Sequence, residues 1–435
     1  MSGSENTIFA LSTPNGKSAV ALIRISGKKS YKLIKKISKN MPNKPNLATF
    51  NEIISKNKST VDQTITTYFK SPKSFTGEDM VEITTHGGTA VIKKIFEILL
   101  KECGMRLANP GEFTRRAFEN NKLDLTQVEA IADVVNAETE KQRKQAISHL
   151  SGYFFKSSKS IHDSLKKALA NIEATIDFTE EDLPENIVVE IREQIQNMIG
   201  EINKLLKNYK TGISIRDGFL ISLLGKPNTG KSSFINAISG RDISIVTDQP
   251  GTTRDLIESF IDVSGYPVKF VDTAGIRESL DLVEKIGVEK AHMISKDADI
   301  NIVFIKNTSD ILDFKKIKNK IFVKSKQDVG GEKFKGRDFY NISSTTNYGI
   351  ESLLNVIKDK IEKNTPNEKI FISRERHFQC LSSTLSYLNS SKEDKNIDLF
   401  AEDIRQALKS LSSLFGSVDI EDILDIIFSD FCIGK

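Results

Sequence analysis

The stretch GKPNTGKS, Gly225 to Ser232, carries the residue types needed to hold a nucleoside triphosphate. Its glycines let backbone N–H groups turn inward around phosphate oxygens, and the helix that should follow adds positive potential. On the G-x-x-x-x-G-K-[ST] spacing, Lys231 reaches the outer phosphates and Ser232 is placed to coordinate Mg²⁺. Asn228, Thr229, Gly230 and Ser233 complete that loop. DTAG (Asp272, Thr273, Ala274, Gly275) puts a carboxylate near the metal shell and offers an N–H to the γ-phosphate. In SKQD, the Asp328 carboxylate can accept from both N–H groups of the guanine edge, which adenine cannot supply, while Lys326 can lie along the base. Ser343, Ser344 and Thr345 then offer contacts to the base. In this order the motifs predict GTP binding. Ser325 stands where an NKxD motif has asparagine, and this shorter side chain is expected not to brace the same neighbours, weakening affinity while Asp328 keeps specificity.

Between the phosphate motifs lies TDQPGTTRD, Thr247 to Asp255, a loop able to close over the phosphates, with Thr253 the candidate Mg²⁺ and γ-phosphate sensor. DTAG is followed by Ile276, so the water-positioning glutamine of Ras-like proteins is missing. On spacing alone, Glu278, Asp281 and Glu284 each read as solvated surface charges.

These motifs need a sheet to hold them. From about residue 219, strand-like runs (FLISLLG, VKFVDTAG, DINIVFI, KIFVKS, DFYNISS) alternate with helical ones, which predicts a parallel sheet with crossover helices. TGISIRDG (211–218) reads as a break before it, and GIESLLNVIKDKIE as its closing helix. Residues up to about 120 mix β-rich runs with the helical AVIKKIFEILLKECG, a small α+β domain. From Leu125 to about Lys210, and again from Ile372, apolar residues recur at three- and four-residue intervals, as in long amphipathic helices. The fold class is therefore multidomain α+β and α/β, with a GTPase domain (214–365) inserted into a helical domain (123–213 and 366–435) behind an N-terminal domain (1–122).

A length of 435 residues calls for two or three cores. The balance of 62 basic to 58 acidic residues neither requires nor excludes nucleic acid. Three distant cysteines, Cys103, Cys380 and Cys432, argue against a disulfide framework and for a reducing compartment. The start has no signal-peptide pattern, and no apolar run is long enough to span a membrane, so a cytoplasmic location without membrane attachment is expected.

The pattern resembles the bacterial and organellar tRNA uridine-modification GTPases called MnmE or TrmE. The matching stretches are STPNGKSAVALIRISG, SFTGEDMVEITTHGG (74–88), NPGEFTRRAFENNKLDLTQVEAIADVVNA (109–137), GKPNTGKSSFINAISG, GTTRD, DTAGIRE and the closing FCIGK. They span nearly the whole chain in order. The resemblance implies an N-terminal domain that forms a homodimer and binds a tetrahydrofolate (5-formyl or methylene). It implies GTPase domains that pair across K⁺, and a flavoprotein partner, MnmG. Together these install an aminomethyl-type group on C5 of the wobble uridine of certain tRNAs. It further implies that Asn228, with Thr247, Gln249 and Thr252, ligates K⁺, a cation able to replace an arginine finger. Glu284 matches the family's water-orienting glutamate, and Arg24, Glu82 and Lys122 match positions lining the folate pocket. On residue type alone Arg24 is a strand-end surface charge and Lys122 a turn residue.

Cys432 stands where a C-a-a-X box would place it, but Gly434 and Lys435 fit that box poorly and DIEDILDIIFSD ahead of it is acidic. The anchor reading fails there. In the family this tail reaches the folate pocket, which implies a contribution from Lys435. Cys432 is either a reactive thiol near the one-carbon unit or a small hydrophobe in a packed end, with packing slightly favoured. His86, in THGG, has no metal-ligand company, and the glycines after it suit a tight turn at least as well as catalysis. The runner-up to the modification enzyme is an RNA-associated switch GTPase, such as a ribosome-assembly factor. That reading leaves the folate-type domain and Cys432 without a use.

Overall fold

The computed structural model describes residues 6–101, 103–177, 187–240, 244–245, 257–272, 293–330, 336, 339–365, 372–391, 396–416 and 434. The chain forms two compact units, Met1–Ala132 with Ser412–Lys435, and Asp133–Leu411.

In the first unit, six strands form a sheet in the order β3-β4-β5-β2-β1-β6. The strands are β1 (Ile8–Leu11), β2 (Ser18–Ser26), β3 (Thr49–Ile54), β4 (Thr60–Phe69), β5 (Met80–Gly87) and β6 (Arg106–Leu107). Only β1 and β6 pair parallel. Alternate residues divide between the faces. Phe9, Ile23, Ile25, Val81 and Ile83 pack in one core with Ile34 of helix α1 (Ser30–Lys36) and Ile95, Ile98 and Leu99 of α2 (Thr89–Lys101). Ile8, Ala10 and Met80 meet Phe113 of α3 (Glu112–Glu119) in another. β1 and β3 were not read from sequence. His86 lies within β5, not in a turn.

Helix α4 (Leu125–Val135) and α5 (Glu140–Leu150) are separate. The periodicity of LTQVEAIADVVNAETEKQRKQAISHL runs on, but Thr139 and Gln142 form a capping box that starts a new helix. In α6 (Tyr153–Asp177) and α7 (Ile187–Leu206), Ile161, Leu165, Ala168 and Ile172 on one, and Ile191, Ile195, Ile199 and Ile202 on the other, recur at three- and four-residue steps and are buried. The expected break at 211–218 is instead helix α8 (Tyr209–Asp217), closed by Gly218 at φ +96°. Gly212 survives inside it because α8 packs on α5, with Gln145 donating to the Gly212 carbonyl at 3.0 Å.

A seven-stranded sheet follows in the order β13-β12-β11-β7-β10-β9-β8. Strands β7 (Phe219–Gly225), β10 (Tyr266–Asp272), β11 (Ile300–Phe304), β12 (Lys320–Lys324) and β13 (Phe339–Asn341) are parallel. β8 (Ser244–Ile245) and β9 (Ile257–Val263) add an antiparallel edge that strand alternation did not suggest. Helix α9 (Lys231–Ser239) and α10 (Ile350–Asn364) share the main core with Phe219, Ile221, Leu223, Val268, Phe270, Ile302 and Phe304. Helix α11 (Glu375–Ser390) returns to α7, and α12 (Ile397–Leu414) follows.

Candidate nucleotide and N-terminal sites

The phosphate loop leaves the C-terminal end of β7, which lies between β10 and β11. Crevices at such strand ends, where the order reverses, are where open α/β sheets take ligands. Gly225, at φ +138°, has the Phe304 carbonyl oxygen 2.3 Å from where a Cβ would sit, so no side chain fits. Asn228 turns the loop at φ 58°. Lys231 is buried, its ammonium donating to the carbonyls of Gly225 at 2.8 Å and Lys226 at 3.1 Å. Ser232 donates to an Asp272 carboxylate oxygen at 3.0 Å. Two hard oxygens side by side at the phosphate end of the sheet suit Mg²⁺. Ser233 is exposed on the first turn of α9.

The base loop is tied to the phosphate loop. Ser325 Oγ donates to the Thr229 carbonyl at 2.5 Å. Short as it is, the serine braces the phosphate loop, because the two loops approach closely. A Cβ on Gly230 would stand 2.6 Å from that hydroxyl. Ser343 donates to Asp328 at 2.6 Å. That bond first, with further help from Thr345 and the Lys326 ammonium, holds the Asp328 carboxyl below the usual carboxylate range. An ionised Asp328 is the form that accepts two N–H donors. Lys326 turns at φ 62°. Ser344 Oγ is buried with no hydrogen-bond partner among the described residues.

One positioning contact had no motif to announce it. The Lys226 ammonium lies 2.8 Å from Asp310 and 3.4 Å from Asp313, both on the 3₁₀ turn after β11. Asp310 also accepts the N–H groups of Lys306 and Asn307. The Lys226 hydrogen bond first, then those N–H groups, take its carboxyl down to about 2. Thr247, Gln249, Thr252, Thr253, Thr273, Ala274, Gly275, Glu284, Cys432 and Lys435 lie outside the described residues.

In the first unit, Arg24 and Glu82, opposite each other in β2 and β5, pair at 2.9 Å. The Arg24 guanidinium also lies 5.5 Å from the Phe75 ring and 6.0 Å from Phe113. Ser12 donates to the Gly434 carbonyl at 2.9 Å and Arg24 approaches it at 3.5 Å, so residue 434 lies beside this pair. Lys122 donates to the Pro72 carbonyl at 3.0 Å, on the loop that carries Phe75. Loop and helix α3 are joined by a buried charge network. Arg116 bonds Glu78 at 2.8 Å and Glu112 at 3.0 Å, Arg106 bonds Glu112 at 2.6 Å, and Ser26 bonds Glu78 at 2.8 Å. Sequence reading missed this network, because GED and GEFTRR lie far apart in the chain and nothing in either stretch marks its charges as buried. His86 Nδ1 meets Asp62 at 2.7 Å.

An adenine lacks the adjacent ring and exocyclic N–H pair that a carboxylate fixed as Asp328 can accept from guanine, so sheet and loops place the chain among the P-loop GTPases. The G domain of the T. maritima FeoB iron transporter is similar to it at 24% identity, over 34% of this chain and 98% of that one, with a TM-score of 0.25. The family model described as GTP-binding protein TrmE N-terminus matches residues 7–122, and that of the MnmE helical domain matches residues 125–432. The tRNA modification GTPase MnmE of Aquifex aeolicus is 40% identical, over 98% of this chain and 99% of that protein. The one from Ehrlichia chaffeensis is 41% identical, over 99% and 100%. The chain belongs to the MnmE family of tRNA modification GTPases.

Proposed function

We propose that this protein is a K⁺-dependent GTP hydrolase. In this reading it acts as a homodimer with the flavoprotein MnmG and a tetrahydrofolate one-carbon unit to modify C5 of tRNA wobble uridines in the cytoplasm. Its parts are a folate-binding and dimerisation domain (1–122), a helical domain (123–213 and 366–435) and an inserted GTPase domain (214–365). The observation that carries the reading is the convergence of Ser232 with Asp272, and of Ser325 with Thr229, at one end of the sheet within a chain that matches MnmE proteins over its full length.

Lys231 exchanges its two carbonyls for β- and γ-phosphate oxygens, which bring full charges where the carbonyls bring dipoles. Ser232 and Asp272, with Thr253, would hold Mg²⁺, which neutralises charge at those oxygens. Asn228, with Thr247, Gln249 and Thr252, would hold K⁺, which takes the place of an arginine finger. Asp328 fixes the guanine edge, and Glu284 orients the attacking water. In the first unit, Arg24 suits the glutamate tail of the folate and Glu82 its pterin N–H edge, with Lys122 and Lys435 as further cations. Cys432 would be a small hydrophobe in a packed end, the slightly favoured reading, or a thiol near the one-carbon unit.

The deciding experiment is GTP turnover in K⁺ against Na⁺ at several protein concentrations. Strong K⁺ stimulation with specific activity rising with concentration is expected. A rate indifferent to both would remove Asn228 from the chemistry and leave a switch GTPase awaiting a separate activator.

A further inference from the structure

From Gly27 to Asn51 the chain has seven lysines and no aspartate or glutamate. Without them its 62 basic residues fall to 55 against 58 acidic, so the net positive charge of the whole molecule resides in this stretch. Helix α1 gives the lysines a common direction. At about 100° per residue, Ser30, Ile34 and Ile37 fall within one sector, and Lys28, Lys29, Lys32, Lys35 and Lys36 fall within about 120° on the other side. The first three are buried and the five lysines exposed. None of the five forms an ion pair among the described residues, whereas Lys39 beyond them pairs with Glu52 at 2.6 Å. The face is rigidly mounted, since Ser30 Oγ donates to the Asp79 carbonyl at 2.8 Å and Ile54 N–H to the Ile37 carbonyl at 2.9 Å.

The start of the helix is also charged against its own stability, whereas Lys35 and Lys36 in its last turn suit the dipole. Lys29 occupies its N-cap without a side-chain cap bond, and no acidic residue stands in the first turn. Acceptors and anions belong there, and cations oppose the dipole. A local rule broken with no structural return points to a partner. The lysine face itself exposes no large hydrophobic to enter a lipid surface, although Leu47 and Phe50 further along the stretch are exposed, so the test includes a vesicle arm. Lysine point charges on a fixed spacing suit a phosphate backbone read without regard to sequence.

We propose that the α1 lysine face docks the phosphate backbone of the substrate RNA. This rests on the tRNA-modification reading. The test compares wild type, K28A/K32A/K35A and the control K315A/K316A/K318A, whose lysines are exposed on the other unit. Binding to a transcribed tRNA with uridine at the wobble position is followed across salt concentrations. Alanine suits a helix, and removing Lys28 and Lys32 near its start offsets the loss of Lys35 from its last turn, so α1 should survive the change. The α1 variant should lose at least about tenfold in affinity near 0.1 M salt and about 2–3 from the log–log salt slope, with GTP turnover and the control unchanged. Equal affinity and slope for all three proteins would overturn the proposal. So would loss by the α1 variant of phosphatidylglycerol-vesicle binding alone. Wobble modification in cells lacking the endogenous protein separates the two readings. If wild type restores it and the α1 variant does so equally, at unchanged tRNA affinity, only the docking face falls. If wild type does not restore it, the modification reading falls, and the binding comparison still decides the face.

Discussion

Ser325 shows how one hydroxyl changes the reading of a motif. Its bond to Thr229 sets the spacing between base loop and phosphate loop, so Ser325→Ala should loosen both ends of the nucleotide together. A hydrogen bond of this kind contributes about 1 kcal/mol, so Kd for GTP and GDP should rise alike by about fivefold. Titration of both nucleotides checks this, and a loss confined to GTP would point to a γ-phosphate role instead. The buried charges of the first unit make a second prediction. Burial acts to raise the Glu112 pKa, but hydrogen bonds from Arg106, the Asn109 N–H and Arg116 together outweigh it and leave it lowered. Its stabilising contribution is therefore complete above the ordinary glutamate value and disappears as pH falls through the depressed one. Arg116→Met leaves Glu78 without that cation, and removing one partner of a buried pair costs about 3–5 kcal/mol. Denaturation midpoints from pH 7 to pH 3 should fall for wild type, and start lower and fall less for the variant.

At the scale of elements, what the sequence reveals depends on how far apart the partners are. The phosphate loop was legible because strand, glycines and helix are contiguous. The α4–α5 break was legible in principle, since the T-x-x-Q of a capping box is there at Thr139 and Gln142. The β9 edge was not, because alternation says where strands lie and not which way a neighbour runs. Nor was the Arg116 network, whose members become neighbours only once α3 reaches the 74–79 loop. Asp133, at the end of α4, belongs to this hidden class. It receives Arg216 of α8 at 2.9 Å and Arg374, at the N-cap of α11, at 2.6 Å, tying the chain's entry into the nucleotide sheet to its return. Beside it, the Lys141 N–H of α5 donates to Gly265 in the β9–β10 turn at 3.1 Å. Asp133→Asn keeps the shape and removes the charge facing two guanidiniums. A drop of about 2–6 °C in thermal midpoint is expected from calorimetry. An unchanged midpoint would reduce the clamp to a surface contact.

At the scale of the molecule, the first unit is assembled from two stretches of chain, residues 1–132 and 412–435, separated by the whole of the second unit. The Gly434 carbonyl is held by Ser12, and a Cβ there would stand 2.3 Å from the Leu11 oxygen, so the fit leaves room for glycine alone. This closure has a consequence in time. Synthesis at about 5–20 residues per second puts roughly 15–60 s between the emergence of the two stretches. Late in that interval the nucleotide sheet, Phe219 to Asn341, has emerged, while the sheet carrying Arg24 and Glu82 still lacks Gly434 beside them. The nucleotide sheet of the newborn protein is therefore able to fold before Gly434 has reached Ser12 and Arg24.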